Sequence, residues 1–320
     1  MGSMGPPRIL LFLLLLALQP REALAAGQEP SAAPPDELDE IVVQGRGPRF
    51  VAPTTRDSIG RIWAPAYIDG RGPFRLVLDT GASQSVVTAE LASYLGYTLD
   101  QSQPMLLHGV TGSVRVPTIR VKSLTVGEME LDGPVLPIVP DAMGGAEGIL
   151  GTAGLLDKRI RIDFRHDRIT ITYSHAEHAG GGFTTIPFHF LRGRLIVFDA
   201  TIGHIRAKAI LDSGGQTTVG NFALRDALER HRLHVKSTPS QIVGATRDVQ
   251  DAENISTPPI ELGPISINTT TLAYVDAHIF SLWHLTDEPT VLVGMDAIGR
   301  LDTLIIDFRR RELQLRTADD

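Results

Sequence analysis

The chain has 320 residues, 42% of them hydrophobic, which is enough to bury the core of one large domain or two ordinary ones. Its formal net charge is −7 at pH 7, and it contains no cysteine. The acidic balance argues against a nucleic-acid partner, and the lack of cysteine excludes disulfides, thiolate metal sites and cysteine nucleophiles.

The N-terminus has the pattern of an export signal. Arg8 precedes an apolar run over residues 9–18, and Ala23-Leu24-Ala25 supplies small residues for cleavage. Because the run is too short to span a bilayer, we expect residues 1–25 to be a signal peptide and the mature chain to have no membrane span. Export of a chain this large without disulfides favours a bacterial periplasm or the cell exterior.

Residues 26–54 have the composition of a flexible leader, rich in Ala, Pro and Gly and then in acidic residues. Within it, residues 38–45 resemble the energy-coupling box of TonB-dependent outer-membrane receptors. Since no receptor sequence follows, the favoured interpretation is an edge strand added to the body of the protein. Docking of residues 38–45 to an envelope partner is the alternative.

From residue 61 onward, short apolar strands alternate with Gly and Pro, which predicts an all-β domain. Asp69-Gly70-Arg71-Gly72 separates two strands and is a hairpin signal. The second of these strands runs directly into Asp79-Thr80-Gly81. The elements predicted after it are a strand at 86–88, a helix at 90–95, two strands around a glycine-bounded tip at 108–112, and strands ending at Gly151 and Phe164.

The second half repeats this order of elements. It has a hairpin ending in Asp212-Ser213-Gly214, a helix at 221–230, a tip at 243–247, and strands ending at Gly294 and Phe308. The spacing between the copies is nearly constant: 133 residues from Asp79 to Asp212, 135 from Gly109 to Gly244, and 143 from Gly151 to Gly294. This pattern indicates duplication of one β unit. The glycine-rich segment 178–182 predicts the boundary between lobes at 55–180 and 181–320.

The two aspartates are the candidate catalytic residues. A carboxylate at the end of a buried strand, on a turn tightened by Gly, is held rigidly at low dielectric. One copy could be an ordinary cap at a strand-to-turn junction. Two copies at the same place in two similar halves predict paired carboxylates, which can perform acid and base chemistry.

These features resemble the retropepsin-like group of aspartic peptidases, with two lobes in one chain as in pepsins. The resemblance covers about residues 55–316 and includes the strands 149–151 and 292–294, which match the strand beneath each catalytic loop. It implies an all-β fold of two homologous closed-barrel lobes with the active-site cleft between them. It also implies a bacterial aspartic endopeptidase in which Asp79 and Asp212 share a proton and activate a water molecule. No cofactor and no metal are implied, and the expected substrate is a peptide or protein.

The resemblance assigns further roles. Thr80, Gly81, Ser213 and Gly214 would support the dyad, with the two hydroxyls hydrogen-bonding across to the opposite lobe. The two hairpin tips would be flaps that bind the substrate backbone by strand addition. The flap residues are His108, Gly109, Val110, Thr111, Gly112, Val243, Gly244, Ala245 and Thr246. For His108 the alternative is an exposed turn residue.

Ala82 and Gly215 stand where pepsins carry a hydroxyl residue. Without those donors the ionised dyad is less favoured, so its pKa values should be higher and the optimum less acidic, at about pH 4.5–7. Two other functions are open at this point. One is a catalytically silent peptide-binding protein of the cell envelope, and the other is a component of an envelope assembly that docks through 38–45. Intact aspartates in both copies favour the enzyme.

Overall fold

The computed structural model describes residues 8–10, 14–16, 51–53, 60–98, 100–139, 145–175, 177–192, 194–230, 237–244, 248–268 and 271–317. The leader segment 38–45, the predicted cleavage position after Ala25, and the flap residues Ala245 and Thr246 lie outside these ranges.

The first part of the chain forms fourteen of the described strands and one helix. The strands are β1 (Arg8–Leu10), β2 (Leu14–Leu16), β3 (Val51–Pro53), β4 (Trp63–Ile68), β5 (Arg71–Leu78), β6 (Val86–Thr88), β7 (Asp100–Gly109), β8 (Ser113–Arg120), β9 (Ser123–Val126), β10 (Met129–Asp132), β11 (Val135–Val139), β12 (Gly148–Leu150), β13 (Lys158–Asp163) and β14 (Arg168–Tyr173). The helix is α1 (Ala89–Tyr94).

The second part forms thirteen described strands and three helices. The strands are β15 (Thr184–Pro187), β16 (His189–Leu191), β17 (Leu195–Ile202), β18 (Ile205–Leu211), β19 (Val219–Gly220), β20 (Ser237–Val243), β21 (Val249–Ile255), β22 (Ile260–Leu262), β23 (Ile265–Ile267), β24 (Leu272–Tyr274), β25 (Thr290–Val293), β26 (Leu301–Asp307) and β27 (Glu312–Thr317). The helices are α2 (Phe222–Arg230), α3 (His278–Leu282) and α4 (Met295–Ile298). The chain is therefore mostly β, and the predicted all-β class is confirmed.

Two large sheets have the same strand order. In the first half it is β10-β9-β4-β5-β12-β6-β11-β8-β7, and in the second it is β23-β22-β17-β18-β25-β19-β24-β21-β20. Each strand of the second sheet is the counterpart of one in the first. In both sheets the strand before the aspartate pairs in parallel with the late apolar strand, β5 with β12 and β18 with β25. The two halves thus repeat one topology.

A third sheet joins the two halves. Its order is β15-β27-β26-β13-β14-β3, with β13 and β26 antiparallel at the centre. In the described residues, the final hairpin of each half pairs with the other half. Ile160 lies opposite Ile306 and Ile162 opposite Leu304, and all four side chains are buried. A fully buried aliphatic side chain contributes about 1.5–3 kcal/mol, so this seam holds the halves firmly together.

Local sequence explains the element ends. Asp69 and Gly70 have φ of 52° and 75°, and Ile68 pairs with Arg71, so the hairpin turn has only two residues. It is shorter than the predicted turn because Arg71 and Gly72 already belong to β5. Helix α1 begins where the Thr88 hydroxyl accepts a hydrogen bond from Leu91 N, and it ends before Gly96 at φ 86°.

Two short N-terminal strands lie against the flap hairpins. β1 pairs in parallel with β20, at residues 241–243, and β2 pairs antiparallel with β7, at residues 107–109. The outer edges of both hairpins can therefore take an added strand. No helix within the described ranges combines the length and apolarity that crossing a membrane requires.

Candidate active site

The two aspartates end equivalent strands and are fixed by equivalent hydrogen bonds. Asp79 N donates to Leu150 O at 3.0 Å, and Asp212 N donates to Val293 O at 3.0 Å. Both side chains have 0% exposure. Each aspartate is thus held at the carboxyl end of one strand by the strand beside it.

A glycine lies beneath each aspartate loop. A Cβ on Gly151 would collide with the backbone of Gln84, and a Cβ on Gly294 would lie 2.6 Å from the backbone carbon of Thr217. Gly151 N donates to the Ser85 hydroxyl and Gly294 N to the Thr218 hydroxyl, each at 3.1 Å. The late strand can pass this close to the loop only because these residues lack a side chain.

The carboxylates receive backbone donors on one oxygen each. Gly81 N and Ala82 N donate to Asp79 Oδ1 at 2.8 and 3.1 Å, and Gly215 N donates to Asp212 Oδ1 at 3.0 Å. Asp79 Oδ2 and Asp212 Oδ2 are buried and make no hydrogen bond with any described residue. The loops therefore orient one oxygen of each carboxyl and leave the other available for chemistry.

The two loops are joined by reciprocal hydrogen bonds. Thr80 N donates to Ser213 Oγ and Ser213 N donates to Thr80 Oγ1, both at 3.1 Å. The hydroxyls donate onward, Thr80 Oγ1 to Leu211 O at 2.7 Å and Ser213 Oγ to Leu78 O at 2.8 Å. All four bonds are buried, so they fix the two aspartates relative to each other.

The site shifts the pKa of both aspartates in the same direction. Burial is the largest cause and raises the pKa of Asp79 and of Asp212 above the ordinary range, and the charge of Asp79 raises the pKa of Asp212 further. Backbone donors and the Arg61 guanidinium act in the opposite sense. The sequence predicts higher pKa values from the missing hydroxyls at Ala82 and Gly215, and in the structure the largest cause of the rise is burial.

The predicted flap tips meet each other. Gly244 packs against the Thr111 side chain, and Gly112 packs against the Asp248 carboxylate. Val110 O also accepts a hydrogen bond from Ile279 N of α3 at 3.3 Å. The first flap is therefore braced by the second flap and by a helix of the second half.

His108 differs from one of its two sequence interpretations. It is only 8% exposed, and its Nδ1 lies 2.6 Å from Ser113 Oγ, which also contacts His278 Nε2 at 3.2 Å. The alternative of an exposed turn residue is wrong, because the ring packs between the flap and α3. Its present contacts are structural, and substrate contact stays a prediction.

Residues 64–153 match the family model described as aspartyl protease. The match supports an aspartic protease. It begins inside β4 and ends just after Gly151, so it includes the Asp79 loop, the first flap and the strand beneath the loop. The search of curated proteins found no match. The match supports a protease in general and implies a peptide substrate.

Sequence reasoning missed three buried polar residues near the loops, Ser85, Thr218 and Arg61. Thr218 donates through its backbone N and its hydroxyl to Asp296 Oδ1 of α4, at 2.9 and 2.6 Å. Ser85 and Thr218 each stand six residues after an aspartate, a repeated hydroxyl that the sequence could have revealed. The third residue is Arg61, with 0% exposure, which acts on both aspartates.

Proposed function

We propose that this chain is an aspartic endopeptidase that hydrolyses peptide bonds with a water molecule activated by Asp79 and Asp212. The observation that carries the proposal is the pair of buried aspartates on loops joined by the Thr80 and Ser213 hydrogen bonds. Two lobes over residues 55–180 and 181–320, each a closed barrel, would place the cleft between them. The repeated strand order supports this division.

The chemistry follows from two carboxyls that share one proton. The ionised carboxylate takes a proton from water, and the water oxygen forms a bond to the carbonyl carbon. The protonated carboxyl gives its proton to the carbonyl oxygen, which produces a tetrahedral diol. When the C–N bond breaks, one carboxyl gives its proton to the leaving nitrogen, and the other carboxylate takes a proton from one hydroxyl of the diol. The new carboxylic acid and the amine form, and the dyad again holds one shared proton. Thr80 and Ser213 keep the two carboxyls in register through these transfers.

The flaps are proposed to bind the substrate backbone. An extended peptide between them would pair with the edges of β7 and β20, near residues 107–109 and 241–243. Support comes from β1 and β2, which already pair with those edges as added strands. Gly109, Val110, Thr111 and Gly112 on one side and Val243 and Gly244 on the other would close over the peptide.

Export is the second part of the proposal. The N-terminal pattern supports removal of residues 1–25 and a periplasmic or extracellular enzyme, with residues 26–54 as a leader. No comparison supports docking of residues 38–45 to an envelope partner.

The test is digestion of a peptide library at pH 3–8, a range that brackets titration of a carboxylate dyad. The chain lacking residues 1–25 is compared with its Asp79→Asn and Asp212→Asn variants. Cleavage by the unmodified chain alone supports the proposal. Binding of a statine-type peptide without cleavage at any pH would contradict it and indicate a silent binding protein.

A further inference from the structure

One buried arginine is placed opposite Asp79 by the strand register. Arg61 has 0% exposure and immediately precedes Ile62, whose carbonyl accepts a hydrogen bond from Leu78 N at 2.9 Å. This register continues the pairing of β4 with β5 and sets Arg61 opposite Asp79. Its charge lowers the pKa of Asp79 and also that of Asp212, so it acts on both members of the pair.

Charge balance distinguishes the ionisation states of this site. A buried guanidinium is stable only when negative charge lies close to it. A fully protonated dyad has no charge for Arg61 to attract, and a doubly ionised dyad places two negative charges at low dielectric. A dyad with one shared proton carries a single negative charge, which the buried positive charge of Arg61 stabilises. The arrangement therefore favours the singly ionised dyad over the protonated one.

The second half has an arginine at the same sequence distance from its aspartate. Arg61 stands 18 residues before Asp79, and Arg194 stands 18 residues before Asp212. Arg194 is only partly buried, and it does not appear among the causes that shift the pKa of either aspartate. The pairing of β17 with β18, continued by two residues, sets Leu195 and not Arg194 opposite Asp212. Only the arginine of the first half therefore acts on the dyad. Arg194 is therefore a matched control.

The other ionisable groups on elements packed against the loops are few within the described residues. Asp296 lies in α4 behind the second loop, where burial raises its pKa and it accepts hydrogen bonds from Thr218. His108 lies in the first flap, and burial followed by the charge of His278 lowers its pKa. Neither residue shifts the pKa of both aspartates as Arg61 does.

We propose that Arg61 is a positioning residue that keeps the Asp79/Asp212 pair singly ionised and thereby sets the acid limit of the enzyme. This role rests on the proposed function, since it concerns the same dyad. Arg61 acts through the aspartates and needs no contact with the substrate.

The kinetic test compares Arg61→Met, Arg61→Lys and Arg194→Met with the unmodified chain across pH 3–9. Without the positive charge, both limbs of the kcat/KM profile should move to higher pH. A shift of one unit lowers kcat/KM about tenfold on the acid side. Lysine at 61 should restore the acid limb, and Arg194→Met should leave its midpoint unchanged. An acid limb in Arg61→Met that coincides with that of the unmodified chain overturns the proposal.

A second measurement separates this proposal from the proposed function. The carboxyl ¹³C signals of the aspartates can be titrated by NMR whether or not the protein cleaves a peptide, with Asp79→Asn and Asp212→Asn assigning the pair. The first midpoint of the dyad should be higher in Arg61→Met than in the unmodified chain, and an unchanged midpoint refutes the role of Arg61. Failure to cleave any peptide would instead contradict the proposed function alone. If methionine at 61 prevents folding, Arg61→Gln removes the charge with a polar side chain and takes its place.

Discussion

The Asp79 loop and the Asp212 loop have the same backbone frame but different surroundings. Both aspartates end a strand that pairs in parallel with a late apolar strand, and both loops lie over a glycine. The first loop has a buried arginine beside it, whereas the second has the Thr218–Asp296 contact behind it. The comparison teaches that duplication preserves the hydrogen-bonded geometry of the site, while unshared side chains set its electrostatics.

The largest expected effect comes from removing either carboxylate. The proposed mechanism uses the two aspartates as one unit, so Asp79→Asn and Asp212→Asn should each lower kcat/KM by at least about 10³-fold. Cleavage assays on the folded variants measure this loss. If one variant kept near-normal activity, the two loops would not be functional equivalents and the shared-proton mechanism would be wrong.

The glycines beneath the loops test the shared frame. Gly151→Ala and Gly294→Ala each push a methyl group into loop backbone, so each should destabilise the protein by about 3 kcal/mol or more. Thermal and denaturant unfolding give the values. Gly180→Ala is a suitable control, because a Cβ there meets no atom within 4 Å. Tolerance of alanine at 151 but not at 294 would show that the late strand passes closely beneath only one loop.

The cross-lobe hydrogen bonds have a smaller expected effect. Thr80→Val and Ser213→Ala each remove a hydroxyl that makes two buried bonds and leave partner groups unsatisfied. Each change should cost about 1–3 kcal/mol and lower activity as the aspartates lose register. Thr80→Ser keeps the hydroxyl and serves as the control. Wild-type stability in Thr80→Val would mean that these bonds do not join the halves.

Stability should also depend on the ionisation of the dyad. Burial raises the pKa of both aspartates in the folded chain above the unfolded value of about 3.9. A carboxyl with a raised pKa binds its proton more tightly in the folded chain. Its contribution to the free energy of unfolding is complete below the unfolded pKa and is lost as pH rises through the folded pKa. Each unit of difference corresponds to about 1.4 kcal/mol.

The Asp79→Asn, Asp212→Asn double variant should therefore be less sensitive than the unmodified chain to a rise in pH above about 4. Melting temperatures measured against pH for both proteins check this. Parallel curves over the whole range would show that the pair is not held at a raised pKa.

The smallest expected effect concerns the first flap. Burial, and then the charge of His278, lower the pKa of His108. The packing of His108 in the first flap therefore weakens as pH falls below the ordinary histidine pKa of about 6.5. Hydrogen exchange at the backbone N–H groups of residues 109–112 should therefore speed up between pH 7.5 and 5, beyond the intrinsic pH effect. His278→Gln should reduce this extra change. Equal acceleration in both proteins would separate the flap from the histidine pair.

Much of the fold could be predicted from the sequence, because the repeated strand, aspartate and glycine pattern is local. The aspartate loops, the helices near 90 and 222, and the flap hairpins follow from short-range signals. The pairing of β13 with β26 did not, because alternation of apolar residues indicates a strand without specifying its partner. The burial of Arg61 was also missed, because an arginine before a strand is usually exposed.

The most direct measurement of the central claim is an NMR titration of the two aspartate carboxyls in the unmodified chain. The account predicts two well-separated steps that belong to the pair, with both midpoints above the ordinary aspartate range and one shared proton at pH values between the two midpoints. Two independent titrations near 3.9 would contradict it, since such carboxylates would both be ionised wherever the enzyme is expected to act.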